Sequence, residues 1–444
     1  MEQEIRKDTP IKFEIVKKYV EIYNPRNISL GNTRIISKIV DNIENDTGEK
    51  FIRMEMGVPG INPSEIGINA EINALKNNVA GIYPPVDGIP PLKNEISRFA
   101  KLFLNVDISP DNCVPTVGSL NGSYAAFMVT GRRNKEKNTI LFIDPGFPVH
   151  KKLVHMLGFR QESFDVNNYR GIKLKEKLAE KLKNGNIAAI LYSNPNNPTW
   201  ICFTEEELKI IADLAKEHDV IVIEDLAYFA MDFRKDYSHP GIPPFQPTIA
   251  NYMDEYILLI SGSKSFSYAG QRIGILILSE KLTKTKFPDL LRFYSNDILS
   301  NALIYETIFL TTAGVPHSIQ YGFADILKAA NDGDYAFVDD VRIYGEKAKI
   351  MKKIFTDNGF KIVYDLDGNE PIADGFYFTV SFPGLQGDEL SEILLYYGIS
   401  SIPLSSTGSL HTEGIRACVS LVRKEQFPLL EKRLNLFSEH FTHV

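Results

Sequence analysis

The chain has 444 residues, 44% hydrophobic and 24% charged, with a formal net charge of −7. That length can bury a large core and allows two or three domains. The acidic balance and scattered basic residues exclude nucleic acid and anionic membrane as expected partners. No apolar run approaches the ~20 residues of a membrane span. The start, Met1 to Asp8, mixes charges of both signs with no apolar stretch behind it, so it does not read as a signal peptide. Three cysteines, Cys113, Cys202 and Cys418, are odd in number and far apart, which fits buried free thiols in a reducing cytoplasm. His150 and His155 are five apart and would not share a helix face, and no histidine shows ligand spacing, so no metal is expected.

In chain order, the first fifty residues read as mainly polar helix, expected to pack on a C-terminal domain. From residue 51 to 314 strand-like and helix-like segments alternate. Apolar runs at Thr139–Ile143, Ile187–Tyr192, Val220–Ile223, Tyr256–Ile260 and Ile273–Leu278 predict strands. The clearest helix opens at Thr204, where Thr204 and Glu207 form a capping-box pattern. Its positions Leu208, Ile211, Ala212 and Ala215 keep one apolar face. Such alternation predicts an α/β domain with a mostly parallel sheet covered on both faces. Residues 315–444 differ: long helical stretches surround strand-like Phe376–Phe382 and Ile415–Val422, as in a smaller α+β domain.

Ligands bind at the carboxyl ends of parallel strands, and the polar segments there carry the chemistry. After the second run come Asn194-Pro195 and Asn197-Pro198, two Asn-Pro units that make a rigid turn. After the third come Glu224, Asp225 and Tyr228. After the fourth comes Lys264, boxed in by Ser261, Ser263 and Ser265, with Arg272 eight positions on. Hydroxyls and a guanidinium can hold a phosphate while an amine beside them attacks a carbonyl. An amide, a carboxylate, a phenol and a lysine thus converge on one rim.

In order and spacing, Tyr83 to Gly88, Asn194 to Thr199, Asp225 to Tyr228, Ser261 to Lys264 with Arg272 and Gly274, and Ile415-Arg416 resemble the class I/II aminotransferases of pyridoxal-phosphate fold type I. The resemblance runs from about Met54 to Val422. It implies a homodimeric enzyme that uses pyridoxal 5′-phosphate to move an amino group from an L-amino acid to a 2-oxo acid, with pyridoxamine phosphate between the two half-reactions. By the same resemblance Lys264 is the Schiff-base lysine and proton carrier, and Asp225 keeps the pyridine nitrogen protonated. Asn197 and Tyr228 hydrogen-bond the ring's phenolate oxygen, and Phe147 stacks on the ring. Gly118, Ser119 and Leu120 at a helix N-terminus, with Ser261, Ser263 and Arg272, form the phosphate cup. Tyr83 reaches the phosphate of the neighbouring subunit, so that active sites are shared between chains. Arg416 grips the substrate α-carboxylate bidentately, with Gly57 and Asn197 beside it.

Two departures stand out. Family members carry Gly after Asn-Pro-Thr, where this chain has Trp200, which implies a different turn or a bulky wall near the cofactor. Arg292 faintly resembles a second arginine that aspartate-type members supply across the dimer, which implies a dicarboxylic substrate. Two alternatives share the same residues: another reaction on this scaffold, such as C–S β-elimination or the cyclisation of an activated methionine by an aminocyclopropane-carboxylate-synthase-like enzyme, and a cofactor-binding effector domain without catalysis. The latter carries a basic DNA-binding module ahead of the fold, and the first fifty residues show no such pattern.

Overall fold

The computed structural model describes residues 8–24 and 32–441, so most of the charged start lies outside the described residues. The chain divides into two compact units. One comprises Ile61–Asn196 and Cys202–Val341; the other comprises the chain up to Gly60, the short segment Asn197–Ile201, and the chain from Arg342 onward.

The first unit is built on a seven-stranded sheet. In chain order its strands are β1 (Cys113–Thr116), β2 (Thr139–Asp144), β3 (Arg160–Asp165), β4 (Ile187–Ser193), β5 (Ile221–Leu226), β6 (Tyr256–Ser261) and β7 (Gly274–Leu278). Their spatial order is β1-β7-β6-β5-β4-β2-β3, and β7 alone runs against the rest. The expected α/β class with a mostly parallel sheet is therefore what the chain forms. The central strands are buried along their whole length, as parallel strands covered on both faces must be. Two strands go beyond the sequence expectation. β1 is only four residues long and contains Pro115. β3 is an edge strand whose first residues, Arg160 and Gln161, are exposed, so it shows no apolar run.

Helix α1 (Gly118–Thr130) packs on the sheet through Ala125, Ala126, Phe127 and Val129, within a core that includes Ile140, Leu191, Ile223, Leu259 and Leu276. Helix α2 (Glu205–Glu217) begins as expected. Thr204 Oγ1 accepts from Glu207 N at 3.2 Å, and Glu207 Oε2 accepts from Thr204 N at 3.1 Å. The buried Glu207 carboxylate also takes Arg170 Nε and Nη2, both at 2.7 Å. A cluster of phenylalanines fixes the loops that follow β5 and β6. Phe229, next to Tyr228, lies 5.0 Å from Phe99, and Phe266, two residues past Lys264, lies 4.6 Å from Phe337. Two polar loops are thus anchored by one apolar plug.

The second unit holds a four-stranded antiparallel sheet of β8 (Lys361–Ile362), β9 (Tyr377–Ser381), β10 (Ile402–Pro403) and β11 (Gly414–Cys418), in the order β10-β11-β9-β8. The run expected to reach Val422 ends as a strand at Cys418. Beyond it, Ser420 Oγ donates to Val58 O and Ser420 O accepts from the buried Lys347 Nζ, which turns the chain away. Residues from the first sixty join this unit: Ile52–Arg53 pair in parallel with Ile399–Ser400, and Phe13 stacks on Tyr396 at 5.5 Å. Cys113 and Cys418 are buried, while Cys202 is only half-buried; all three are free thiols. Among the described residues no helix is long and apolar enough to cross a membrane.

Replacing Glu207 by Ala removes a cap and leaves the half-buried Arg170 charge without its carboxylate, an expected loss of about 3 kcal/mol. Thr204→Ala, which removes only the cap, is expected to cost about 1 kcal/mol. Urea unfolding of both variants measures the difference, and equal losses would mean that the ion pair adds nothing.

Candidate active site

With β7 the one reversed strand, the carboxyl ends of β1, β2, β4, β5 and β6 share an edge with the start of β7. Register fixes what meets there. Thr116 pairs with Gly274, Gly274 with Ser261, Leu226 with Ile260, and Ser193 with Asp225. The expected residues Gly118, Phe147, Asp225, Tyr228, Ser261, Ser263 and Lys264 all lie within a few residues of these strand ends.

Gly118, at φ +70°, starts helix α1, and no side chain caps that helix. The first amides of a helix have no partner inside it and carry its positive dipole end. A Cβ on Gly118 would overlap the Arg272 guanidinium, so Arg272 lies directly against this terminus. A Cβ on Gly274 would come within 2.6 Å of Ser119 N. Only glycine lets β7 begin so close to the helix. Arg272 Nη1 donates to Ala269 O at 2.8 Å and to Ser263 Oγ at 3.4 Å, and Ser263 N donates to Ser261 Oγ at 3.1 Å. Ser119 and Leu120 follow Gly118 in the first turn. These residues make a cationic, donor-rich cradle around one point.

Lys264 is half-buried at the top of the turn that follows β6. The turn is tied down by Tyr268 N to Gly262 O at 2.9 Å and by Ser265 Oγ to Phe229 O at 2.7 Å, which links the lysine loop to the loop of Tyr228. Tyr228 itself is buried. Asp225 is buried at the end of β5, where its carboxylate accepts from Ala227 N at 3.2 Å. Among the described residues no cation pairs with it. Burial, reinforced by the charge of the neighbouring Glu224, raises its pKa from 3.8 to about 7. Glu224 is raised to about 7 by its own burial, although Thr248 Oγ1 and Ile249 N donate to it.

Phe147 and Asp225 line one narrow cavity together with His150, Tyr192 and Ser193. His150, considered from sequence only as a metal ligand, is buried. Its Nε2 is 3.0 Å from Ser123 Oγ, its ring meets Phe147 edge-on at 5.4 Å, and burial lowers its pKa to about 4. Tyr83 is 90% exposed on a loop.

The second unit holds the remaining three expected residues. Arg416, on β11, is buried. Its Nη2 donates to Glu55 O at 2.6 Å, its Nη1 donates to Asn197 Oδ1 at 3.2 Å, and its buried Nε has no acceptor among the described residues. The guanidinium lies over the Tyr377 ring, 4.4 Å from the centroid. A Cβ on Gly57 would overlap the Tyr377 hydroxyl. Tyr377 thus touches both, and sequence reasoning missed it: one aromatic in an apolar strand carries no signal. Trp200 keeps a positive φ of +69° despite its side chain, and it is fully buried. Arg292 is turned onto its own neighbourhood, donating to Asp289 O at 3.0 Å and Arg132 O at 3.1 Å.

The model of the family "Aminotransferase class I and II" matches residues 50–433. The chain belongs to that family. Among its relatives is a probable aspartate aminotransferase of Methanocaldococcus jannaschii, 25% identical over 396 residues that cover 88% of this chain and 93% of the relative. Another is an LL-diaminopimelate aminotransferase of Natranaerobius thermophilus, 24% identical over 84% of this chain and 85% of the relative. The crystal structure of an aminotransferase from Mycobacterium tuberculosis matches with a TM-score of 0.75 at 17% identity, over 93% of this chain and 97% of that one. The enzyme is therefore a pyridoxal-phosphate-dependent transaminase, and these names leave its substrate open.

The residues fit that cofactor. A glycine-walled cradle at an uncapped helix N-terminus suits a phosphate. A buried carboxylate without a cation is costly, and a protonated ring nitrogen would relieve it.

Because the folded protein raises the Asp225 pKa from 3.8 to about 7, its contribution to stability is fully present below pH ~4 and fades as pH rises through ~7. The cofactor-free protein is expected to lose more melting temperature between pH 4 and 8 than its Asp225→Asn variant. Parallel pH profiles would show that the carboxyl titrates normally.

Proposed function

We propose that the first unit holds the cofactor through the groups along its sheet edge and that Arg416 of the second unit receives the α-carboxylate of an L-amino acid or 2-oxo acid. The observation that carries this reading is Asp225, a buried carboxylate on the edge that also carries Lys264 and the phosphate-shaped cradle. Pyridoxal phosphate supplies an aldehyde for an amine to condense with and a protonated ring that takes up the electron pair left when a Cα–H bond breaks.

The chain's own residues do the rest. Gly118, Ser119, Leu120, Ser261, Ser263 and Arg272 bind the phosphate through amides, hydroxyls and a guanidinium. Asp225 keeps the ring nitrogen protonated, and Phe147 stacks on the ring. Asn197 and Tyr228 hydrogen-bond the ring's phenolate oxygen. Lys264 Nζ would hold the cofactor through its aldehyde and, when free, would take up and carry the proton of the substrate Cα. Arg416 Nε, buried and without an acceptor, meets the carboxylate with Gly57 and Asn197 beside it. Tyr83, fully open on its own chain, serves the phosphate of a second copy, so the working enzyme is a homodimer. Arg292, bonded to backbone carbonyls of its own chain, does not itself support a dicarboxylic substrate.

Lys264→Ala is expected to lower transamination by at least about 10²–10⁴-fold, measured as 2-oxo acid formed from a panel of twenty L-amino acids with pyruvate and 2-oxoglutarate as acceptors. Release of free ammonia by the parent enzyme in the same panel would instead favour a lyase. Arg416→Ala should raise KM for the best donor by about 10²-fold or more. Light scattering should give the mass of two chains.

A further inference from the structure

Trp200 is the residue that the cofactor reading leaves unused. A bulky side chain at positive φ is a strained arrangement that persists only where its surroundings over-determine it. Here the surroundings are visible. The indole fills the space beside Gly375, where an added Cβ would overlap its ring, and it meets the Tyr377 ring edge-on at 6.2 Å. Tyr377 begins β9, opposite Cys418 of β11, and is therefore a diagonal neighbour of Arg416 on the same face. Its ring carries the Arg416 guanidinium, and its hydroxyl fills the space a side chain at residue 57 would need. The segment Asn197–Ile201, clustered in this unit, places Asn197 Oδ1 on Arg416 Nη1 three residues before Trp200.

We propose that Trp200 and Tyr377 are positioning residues for the carboxylate-binding arginine. Trp200 wedges into the Gly375 notch, holds Tyr377 under the guanidinium and anchors the turn that presents Asn197. Two of the contacts on Arg416, the Tyr377 ring and Asn197 Oδ1, then depend on one indole. This inference rests on the reading that Arg416 binds the substrate carboxylate.

The test uses the cofactor-loaded enzyme, the best amino donor from the panel, and the 2-methyl derivative of that donor, which binds but has no Cα hydrogen to lose. A desolvated cation–π contact supports roughly a tenfold effect. Tyr377→Leu and Trp200→Gly are each expected to raise KM and the calorimetric Kd of the 2-methyl compound about tenfold, while kcat changes less than about threefold. Tyr377→Phe, which keeps the ring face, should recover most of the affinity lost in Tyr377→Leu. In the Trp200→Gly background, Gly375→Ala should lower the melting temperature far less than it does alone.

An unchanged Kd in folded Tyr377→Leu, or equal losses in Tyr377→Phe and Tyr377→Leu, would overturn the proposal. So would a loss confined to kcat. If Trp200→Gly does not fold, the Tyr377 pair decides on its own. Arg416→Ala separates the two levels. If it leaves KM unchanged, the carboxylate reading itself fails; if it raises KM while Tyr377→Leu does not, only the positioning role fails.

Discussion

The cofactor half of the site depends on one backbone-to-backbone approach. β7 enters the sheet against the direction of all its neighbours, and its first residue must pass beside the N-terminus of α1. Gly274 allows this, since a Cβ there would come within 2.6 Å of Ser119 N. From that contact the rest follows locally. Arg272, two residues before Gly274, is pressed against Gly118, and Ser263 and Ser261 are drawn in by hydrogen bonds. Lys264 is the next residue after Ser263. The proposed anion site and the proposed reactive amine are therefore set by the same few peptide units, and neither can be moved without the other.

The two units solve different electrostatic problems. In the first, a carboxylate is left buried without a cation, and its raised pKa records the cost of that arrangement. In the second, a guanidinium is buried among a carbonyl, an amide oxygen and an aromatic face, none of which carries a full negative charge. Among the described residues, each unit thus holds an ionisable group with no opposite charge bonded to it. This is the expected condition of groups kept for a ligand of opposite sign; a purely structural ion pair would have been closed within the protein, as Glu207 and Arg170 are.

The α/β class was legible because the central strands are buried on both faces and therefore read as continuous apolar runs; Ile187–Ser193 and Tyr256–Ser261 are found almost where the pattern places them. The capping box at Thr204 was legible because its two bonds are local. β1 and β3 were not, since a four-residue strand with a proline and an edge strand with exposed charge carry no periodic signal. Nor was the end of β11, which is set by Lys347 and Val58, both remote in sequence. Motif residues such as Asp225 and Lys264 could be singled out because chemistry restricts residue type at fixed spacing. Tyr377 and Gly375 could not, because their importance comes from what they touch. Trp200 was visible as a departure, but its burial was not.

The notch between Trp200 and Gly375 also constrains how this sequence can change. With glycine at position 200, the neighbouring position tolerates small side chains, because nothing fills the space beside it. With tryptophan in place, any Cβ at 375 meets the indole. The order of substitution therefore matters: position 375 must already be glycine before tryptophan can enter, and afterwards it can change only if the indole leaves first. A positive φ adds to this, since glycine is the residue that holds it without strain. The pair therefore fixes an order of substitution: a chain with tryptophan at 200 and a chain with a side chain at 375 are connected only through the sequence that has glycine at 375 and no indole at 200.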